Sequence, residues 1–553
     1  LLTRNQWLSN SAVSGGAVYL IASGPTLADS LFRENVASQY GGALVADQGS
    51  QVTLRGNTFE LNVAGLNGGA ALLQSASTPW VEGNRFFTNT AASGVGGALI
   101  LSTGANGAVL ENDFADNLGL DGGALMISSA TATITGNHFR TNTAFRMGGA
   151  LVVTDNASAI VSSNWFTANT ALSDGGAGLV QLHSSGQFKQ NQVRDNVGGG
   201  KGGGLRIFDD VSMTVDDNLF AGNQAQDGGA LQVEQAQVTA ARNRFEANVA
   251  SLRGGAAQVA AAGELTVRAS TIVSNTAGSH GGGLYAASGA VLIVHDTLLL
   301  ANRATSAGGA IRWISAGGEL RNSRVLDNWA GATGGGVASS GSNLLLFGNV
   351  IQTNSSGQLG GGVYLQGVSQ PELRNNLIVK NSASVQGGGI FAIDGPVANL
   401  LYNTITDNDL SGAGEGVGVA GGSRLTLRGN IVTHNQRGIV VSSNSTATLV
   451  RNDVWNNSQA NYAGIAPGAT DLSVDPRFVT DALGDYYLSC RRAGRSSDSS
   501  LLDAGPDTAA TVGLATLTTC GFNLLDQGQA DLGYHYPLFV YAWVPRAFFP
   551  YAR

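Results

Sequence analysis

Residues 137–151, NHFRTNTAFRMGGAL, contain the pattern that decides the fold. Asn142 follows a large apolar residue by three positions and another asparagine by five, and a glycine pair with a small and an aliphatic residue comes after it. This pattern returns roughly every 27 residues along most of the chain. A period of that length indicates stacked supersecondary units. The chain is therefore predicted to be a solenoid, in which each turn contacts only its neighbours.

The segments between the repeated residues are too short for helices. Apolar runs such as residues 43–46 and 52–54 separate a glycine pair from the next NxFxxN, and runs of this length suit strands. A coil of ~27 extended residues has the contour of three short strands bent into a loop. Stacking such coils pairs equivalent strands in parallel at ~4.8 Å.

The repeated residues are predicted to be structural. Glycine pairs provide corners where φ can be positive. The apolar slot, mostly Phe up to Phe245 and aliphatic from Ile272 onward, is expected to fill the coil interior. Stacked asparagine amides are expected to form a hydrogen-bonded ladder from turn to turn. Representative members of the predicted ladder are Asn62, Asn89, Asn142, Asn169, Asn248 and Asn275.

The combination of GGA plus Leu, Ile or Val with FxxN resembles the repeat of the polymorphic outer membrane proteins. More loosely, it is similar to the repeats of secreted bacterial right-handed parallel β-helix proteins. The resemblance covers residues 1 to about 460 and implies an all-β, right-handed parallel β-helix of about 17 to 18 coils. It is a weak guide to function, because this scaffold serves adhesins, lyases and structural proteins alike.

Residues 471–536 resemble a different family, the choice-of-anchor Q module. The similar stretches are DPRFV at 475–479, GDYYL at 484–488, SLLDAG at 500–505 and ADLGYHY at 530–536. This resemblance implies a small C-terminal β module that connects a β-helix to the cell envelope. The predicted organisation is a β-helix at 1–460, an anchor-like module at 461–536 and an aromatic tail at 537–553.

Composition restricts the environment and the partners. Charged residues make up 12% of the 553 residues, and the net charge is −8. The basic residues are scattered, so nucleic acid is not an expected partner. No run of eighteen apolar residues is present, so no transmembrane segment is predicted. Residue 1 already lies within a turn, and a processed or truncated start is expected.

The two cysteines, Cys490 and Cys520, both fall in the predicted module. This confinement suggests a disulfide formed outside the cytoplasm, closing a loop that is worth about 3 to 4 kcal/mol. Two unrelated buried thiols are the alternative. The predicted location is extracellular or on the cell surface.

Catalytic chemistry on sugars would require clustered carboxylates on adjacent turns. The best candidates are Asp209, Asp210, Asp216 and Asp217, near Lys201 and Arg206. They fall at unequal phases of the turn, so solvated loop charges are the favoured interpretation. His280 is a lone corner histidine, which is seldom catalytic. No catalytic residue is predicted.

No cofactor or metal is predicted either. Several aspartates of the module could supply oxygen ligands, but turn-forming roles are favoured for them. These aspartates are Asp471, Asp475, Asp481, Asp485, Asp503 and Asp507.

The tail from Pro537 to Arg553 is unusually aromatic. Its aromatic residues, predicted to act in assembly, are Phe539, Tyr541, Trp543, Phe548, Phe549 and Tyr551. A strand that is apolar on both sides must be buried on both sides. The tail is therefore expected either to cap the last turn of its own β-helix or to dock on another subunit.

These features predict an extracellular structural or adhesive surface protein that assembles into fibres or coats them. The open strand edges of the first turn and the aromatic tail would join head to tail. The expected partners are other copies of the chain or components of the cell envelope, with polysaccharide as a further possibility. The alternatives are a polysaccharide-active enzyme and a non-catalytic carbohydrate-binding rod.

Overall fold

The computed structural model describes residues 1–409, 414–521 and 524–538. By its contacts the chain divides into two compact units. Unit 1 comprises residues 1–266 and 275–277, and unit 2 comprises residues 267–274 and 278–553. The boundary near residue 266 falls within the strand Glu264–Arg268.

Each unit is built from short parallel strands, four to most turns, which we call the A, B, C and D strands in chain order. In one turn of unit 1 they are Thr131–Thr135, His138–Arg140, Thr143–Met147 and Leu151–Thr154. Equivalent strands of successive turns pair in parallel, so that Phe139 lies opposite Phe166. The fold is the predicted right-handed parallel β-helix, with about 17 turns in all. The expectation of three strands per turn was wrong, because in most turns the residues after the FxxN asparagine form a separate C strand.

The strands of unit 1 follow in that order. The A strands are Leu2–Thr3, Thr26–Ala28, Thr53–Arg55, Trp80–Glu82, Asn106–Leu110, Thr131–Thr135, Ser158–Ser162, Ser185–Lys189, Ser212–Asp216 and Gln237–Ala241. The B strands are Gln6–Leu8, Leu31–Arg33, Thr58–Glu60, Arg85–Phe87, Asp113–Ala115, His138–Arg140, Trp165–Thr167, Gln192–Arg194, Leu219–Ala221 and Arg244–Glu246. The C strands are Ser11–Ser14, Val36–Tyr40, Val63–Ala64, Thr90–Ala91, Leu118–Asp121, Thr143–Met147, Thr170–Ala171, Val197–Gly198, Gln224–Asp227, Val249–Arg253 and Thr276–Ala277. The D strands are Val18–Ile21, Leu44–Asp47, Ala71–Leu73, Leu99–Ser102, Leu125–Ser128, Leu151–Thr154, Gly178–Val180, Leu205–Phe208, Leu231–Glu234 and Ala257–Ala260.

Unit 2 repeats the arrangement. Its A strands are Val291–His295, Gly317–Arg321, Leu344–Phe347, Glu372–Arg374, Val397–Leu401, Arg424–Arg428 and Thr446–Val450. Its B strands are Thr271–Val273, Leu298–Leu300, Arg324–Leu326, Val350–Gln352, Leu377–Val379, Thr404–Thr406, Ile431–Thr433 and Asp453–Trp455. Its C strands are Arg303–Ala304, Trp329–Ala330, Ser355–Ser356 and Ser382–Ala383. Its D strands are Leu284–Ala287, Ile311–Ile314, Val337–Ser340, Val363–Gln366, Ile390–Ile393, Glu415–Val419, Arg437–Val441 and Ala460–Ala463.

A column of aromatic rings fills the interior of unit 1. Phe59, Phe86, Phe114 and Phe139 are buried and stack on one another, with ring centroids 4.7 to 4.9 Å apart. This spacing equals the separation of neighbouring strands, about 4.8 Å. The apolar slot of the repeat is therefore an interior column, as the sequence indicates.

Asparagine ladders line the corners on either side of the B strands. The Asn142 side-chain amide donates to Asn169 Oδ1 at 2.9 Å and to the Phe114 carbonyl oxygen at 2.9 Å. The preceding asparagine forms a second ladder, in which Asn137 donates to Asn164 Oδ1 at 2.9 Å. Buried backbone groups need partners, and each ladder amide satisfies the carbonyl group that the corner leaves unpaired.

The glycine pairs lie at the corner before the D strands from Val18–Ile21 to Ile390–Ile393. Gly148 has φ +65, and a Cβ atom on Gly149 would collide with the carbonyl oxygen of Gly176 in the next turn. A side chain is strained at the first position and lacks space at the second. The doublet is therefore a steric requirement of the turn.

After the last D strand of unit 2, residues 464–538 form what we call the C-terminal segment. It contains an antiparallel hairpin of Phe478–Asp481 with Gly484–Leu488, followed by the 3-10 helix Arg491–Ala493. The segment packs against the outer side of the B strands of its own unit. Two buried clusters form this contact, and their members are Leu377, Val379, Tyr487, Tyr534 and Tyr536 in one, and Ile431, Leu488, Leu501 and Leu532 in the other.

Backbone groups at the end of the C-terminal segment bond to the coil. Tyr534 N donates to Thr404 Oγ1 at 2.9 Å. His535 N donates to Asn375 Oδ1 at 2.6 Å, and the Asn375 amide donates back to the His535 carbonyl oxygen at 2.9 Å. The segment is thus fixed in register on the coil. Over the described ranges, no helix has the length and apolar character needed to cross a membrane.

Candidate functional site

Unit 2 contains a groove of ≈ 590 Å³ between the coil and the C-terminal segment. We call it the module groove. Its floor comprises residues of the B strands Arg324–Leu326, Val350–Gln352 and Leu377–Val379. Its walls are residues 482–486 and residues of the stretch 513–517, and Tyr534, Tyr536 and Pro537 also line it. Clefts of a few hundred Å³ are the usual location of ligand sites.

The floor follows from strand alternation. The middle residues of the three B strands, Val325, Ile351 and Ile378, are completely buried in the coil interior. Their neighbours point outward, because successive side chains of a strand alternate between its two faces. Arg324 is therefore exposed at the groove, whereas Leu377 is covered by the C-terminal segment.

One wall is held to the coil by tyrosine hydrogen bonds. The Tyr486 hydroxyl donates to Asp407 Oδ2 at 2.9 Å, and Tyr486 N donates to the Tyr536 hydroxyl at 3.2 Å. Burial, together with the charge of Asp407, raises the pKa of Tyr486 far above its ordinary value. Tyr486 therefore remains a neutral donor and fixes the hairpin turn over the floor.

The second wall is held by an ion pair. Arg428 Nε donates to Asp507 Oδ2 at 2.6 Å, and the Tyr402 hydroxyl donates to the same oxygen at 3.0 Å. The hydrogen bond from Arg428 lowers the pKa of Asp507, while burial raises the pKa of Tyr402. This triad lies at the start of the loop that leads to residues 513–517.

The groove combines charged groups with aromatic rings. Arg324 and Lys380 are exposed, and neither has an ion-pair partner within residues 1–409, 414–521 and 524–538. Asp296 and Asp485 also line the groove, and Asp485 accepts a hydrogen bond from Thr480 Oγ1 at 2.9 Å. The rings in the lining are Phe347, Tyr486, Tyr534 and Tyr536. Rings beside unpaired cations and hydroxyl groups suit a polar ligand that carries negative charge.

The four aspartates weighed for catalysis do not form one site. Arg206 pairs instead with Asp174 and with Glu234 at 2.9 Å, and Lys201 pairs with Glu234 at 2.7 Å. Asp217 pairs with Arg242 at 2.8 Å.

The remaining candidates have equally local contacts. Asp210 Oδ2 lies 3.0 Å from His183 Nδ1, and Asp216 accepts a hydrogen bond from Ala241 N at 3.1 Å. Asp209 occupies a turn with φ +66. These placements agree with the solvated-loop interpretation. His280 stacks near Tyr285 at 6.3 Å and does not line the module groove.

The structure joins Cys490 and Cys520 by a disulfide, with their Cα atoms 5.5 Å apart. The bond lies within the C-terminal segment, and both residues are buried. The predicted ladder residues occupy the interior of unit 1, where Asn62 donates to Asn89 and Asn248 to Asn275, each at 2.9 Å.

The predicted assembly residues of the tail, from Phe539 to Tyr551, lie outside the described residues. They are Phe539, Tyr541, Trp543, Phe548, Phe549 and Tyr551.

The module aspartates considered as ligands make local contacts instead. Asp475 accepts from Arg477 N at 2.8 Å, and Asp471 accepts from the Tyr462 hydroxyl at 3.0 Å. In the described part of the chain, the grouping with metal-ligand spacing is a different one, Asp526 with Asp531 and His535. All three residues are buried. Sequence reasoning missed this group, although the spacing D-x4-D-x3-H was available as a signal.

Sequence reasoning also missed the module groove. A usable signal lies in the residues that flank the apolar slot of the B strands. They are Leu377 and Val379, Thr404 and Thr406, and Ile431 and Thr433 in three successive turns. Where neither flanking residue is charged, the outer side is suited to being covered. The groove beside the covered area is formed by the path of the C-terminal segment. The sequence of that segment has no repeat from which its path could be predicted.

The family model described as a right-handed β-helix region matches the chain at residues 2–197, 167–298, 255–414 and 309–474. These matches include the B strands that form the floor of the module groove but not the wall residues 482–486. No curated protein matches the chain.

Proposed function

Because the chain belongs to the right-handed β-helix family, we propose that it is an extracellular adhesive surface protein whose β-helix presents a glycan-binding groove. The ligand is an anionic glycan, bound without turnover in the module groove. The observation that carries this proposal is the presence of Arg324 and Lys380, both exposed, in one cleft with the half-buried rings of Phe347 and Tyr486. Carboxylate or sulfate groups of a glycan would bond to the cations, and a sugar ring would pack against Phe347 and Tyr486.

The groove is built by the segment that resembles an envelope-connecting module. Its walls are fixed by Tyr486 on Asp407 and by Arg428 on Asp507. A rigid site loses less entropy on binding than a mobile one. The C-terminal segment therefore completes the proposed site.

The proposed location is outside the cytoplasm. Disulfides persist in oxidising compartments and are rare in the cytosol. The Cys490–Cys520 disulfide lies in the same segment as the groove walls, so oxidation would stabilise the proposed site.

The direct test is binding of the full chain to a panel of uronate-containing, sulfated and neutral polysaccharides, measured by calorimetry. We expect binding to the anionic members only. Arg324→Ala and Lys380→Ala are each expected to weaken it about tenfold, equivalent to about 1.4 kcal/mol. Arg424→Ala is the matched control, because Arg424 is exposed in the same unit and does not line the groove. Equal losses in all three variants would mean that the groove is not the site.

Turnover is the rival outcome of the same experiment. Asp296 and Asp485 both line the groove, and glycosidic cleavage uses a pair of carboxyl groups. Release of reducing or unsaturated sugar by the wild-type chain, abolished in Asp485→Asn, would replace the adhesive proposal by an enzymatic one. We expect no such release.

Self-association is a second proposed mode of adhesion. The first turn of unit 1 exposes apolar side chains, including Leu1, Val13 and Ile21, at 84%, 62% and 55%. Such an edge fits contact with further β-helix turns, from the same polypeptide or from a second copy. Electron microscopy of the full chain and of a form lacking residues 537–553 tests this proposal, which predicts filaments only for the full chain.

A further inference from the structure

Asp526, Asp531 and His535 form a compact buried group at the end of the C-terminal segment. Their ligand-type atoms all lie within 4.8 Å of one another. His535 is completely buried, and the two aspartates are 5% and 6% exposed. His535 Nε2 lies 2.7 Å from Asp526 Oδ2. Two carboxylates and an imidazole thus meet at one buried point.

The imidazole orientation is that of a metal ligand. His535 Nδ1 lies 2.9 Å from the Gly533 carbonyl oxygen. A carbonyl oxygen only accepts, so Nδ1 carries the proton and donates to it. In the neutral ring this leaves the lone pair on Nε2, which points toward the carboxylates. A ligating histidine is typically fixed in this way through its other ring nitrogen.

The carboxylates are also held in place by further hydrogen bonds. Asp531 Oδ1 accepts from Asp503 N at 2.6 Å, and Asp531 Oδ2 accepts from the Thr519 hydroxyl. Asp526 Oδ2 accepts from Asp531 N at 3.0 Å. These contacts constitute the supporting shell that orients the ligands of known metal sites.

Burying two carboxylates together is costly unless a positive charge is present. In the described part of the chain, the ion pair of these carboxylates is the one between Asp526 and His535. One imidazolium can offset only one of the two negative charges. A divalent cation offsets both.

We propose that Asp526, Asp531 and His535 bind one divalent transition-metal ion of the Zn²⁺ class. Imidazole together with carboxylate favours Zn²⁺ and its neighbours over Ca²⁺, which prefers oxygen ligands alone. Binding replaces the direct His535–Asp526 hydrogen bond by two metal–ligand bonds of about 2.0 to 2.2 Å. The role is structural, because the group is buried and is not part of the groove lining.

The metal would secure the docked segment. Gly533 N donates to the Gly429 carbonyl oxygen at 3.0 Å, and Tyr534 and His535 bond to Thr404 and Asn375. The proposed ligand His535 therefore belongs to the stretch that carries these contacts with the coil. A bound metal ion would connect this stretch to Asp526 and to Asp531. Asp531 is in turn held by Asp503 and Thr519.

The test measures metal content and thermal unfolding of the full chain. The protein is treated with a chelator, reloaded with Zn²⁺ and analysed by elemental analysis and calorimetry. We expect one Zn²⁺ per chain and a rise of several degrees in the unfolding temperature of unit 2. Absence of stoichiometric binding, or binding without a thermal shift, would overturn the proposal.

Two ligand variants and a control locate the site. His535→Gln keeps a hydrogen-bond donor toward Asp526 but removes the ring nitrogen, and Asp531→Asn removes one carboxylate. Both are expected to lose the bound Zn²⁺. Asp475→Asn, an exposed aspartate of the same segment, is expected to retain it. Retention in both ligand variants would mean an adventitious ion at another place and would refute the proposal.

A spectroscopic measurement covers the case in which the ligand variants fail to fold. X-ray absorption of the Zn²⁺-loaded wild-type chain should show one imidazole in a shell of nitrogen and oxygen at about 2.0 to 2.1 Å. A shell without imidazole, or one containing two imidazoles, would contradict the assigned ligands. This outcome is independent of whether any glycan binds in the module groove.

Discussion

The B strands of the two units have similar interiors and different outer sides. In unit 1 the residues on either side of the buried Phe include Arg85, His138 and Trp165, and Trp165 is 38% exposed. In unit 2 the corresponding positions include Leu377 and Ile431, which are buried under the C-terminal segment. Repeating positions of the turn therefore determine the coil. The positions that vary from turn to turn determine what packs against its outer side.

The largest expected effect comes from the aromatic column in the interior of unit 1. Phe139→Ala should destabilise unit 1 by about 3 to 5 kcal/mol, because it leaves a cavity in a stacked column. Phe145→Ala is the matched control, since Phe145 is 50% exposed in the following C strand. Chemical denaturation followed by circular dichroism measures both. Similar losses in the two variants would contradict the interior role of the repeated aromatic residue.

Removal of the disulfide should destabilise the C-terminal segment of unit 2 without changing its coil. Replacing Cys490 and Cys520 by Ser is expected to destabilise the C-terminal segment by about 3 to 4 kcal/mol, because the disulfide closes a loop of about thirty residues. Hydrogen exchange should rise in residues 478–520 and remain unchanged in the coil of unit 1. Uniform loss of protection in both units would show that the segment does not unfold separately.

The repeated features of the coil could be predicted from the sequence, whereas the features that depend on the C-terminal segment could not. The Phe column, the asparagine ladders and the glycine corners repeat at a fixed spacing, and each solves one steric or hydrogen-bonding problem, so the sequence predicts them directly. The four-strand turn was missed because C strands such as Val63–Ala64 have only two residues. Arg324 lines a groove only because residues 482–486 fold back over the coil. The contact of Asp526 with His535 likewise depends on the path of residues 526–535. No repeat encodes those positions.

A smaller effect is expected from the ion pair that fixes one groove wall. Asp507→Asn should destabilise the docked segment by about 1 to 3 kcal/mol, because it weakens the bonds from Arg428 and Tyr402. It should also reduce glycan affinity without touching the unpaired cations. Asp498→Asn, an exposed aspartate of the same segment, is the control. Unchanged stability in Asp507→Asn would show that the wall is held elsewhere.

A pH dependence is expected near the end of the coil in unit 2. Asp453 is completely buried, and burial raises its pKa to about 7. Below the ordinary pKa of an aspartate, the contribution of this group to stability is fully present. It is lost as the pH rises through about 7, because the folded state holds the proton more tightly than the unfolded state.

Unfolding of unit 2 should therefore require about 1 to 3 kcal/mol more at pH 5 than at pH 8. Thermal denaturation across this range measures the effect. Asp453→Asn is expected to flatten the dependence, since the amide does not titrate. A stability that increases with pH in the wild-type chain would contradict the assignment.

The smallest expected effects come from single substitutions that compare the outer side of unit 1 with the groove wall of unit 2. Trp165→Ala should leave both stability and glycan binding nearly unchanged, because Trp165 lies on the outer side of a unit 1 strand. Tyr486→Phe should weaken glycan binding a few-fold, since it removes the bond to Asp407 that positions the groove wall. Calorimetric titration of both variants with the same anionic glycan makes the comparison. A larger loss in Trp165→Ala would move the proposed site to unit 1.

The most direct test of the proposed function is a hydrogen-exchange map of the full chain with and without an anionic oligosaccharide. We expect added protection at residues 322–326, 350–352, 482–486 and 513–517, where the floor and walls of the module groove lie. We expect no change along the B strands of unit 1. Protection confined to unit 1, or unchanged exchange in the groove residues at saturating ligand, would contradict it.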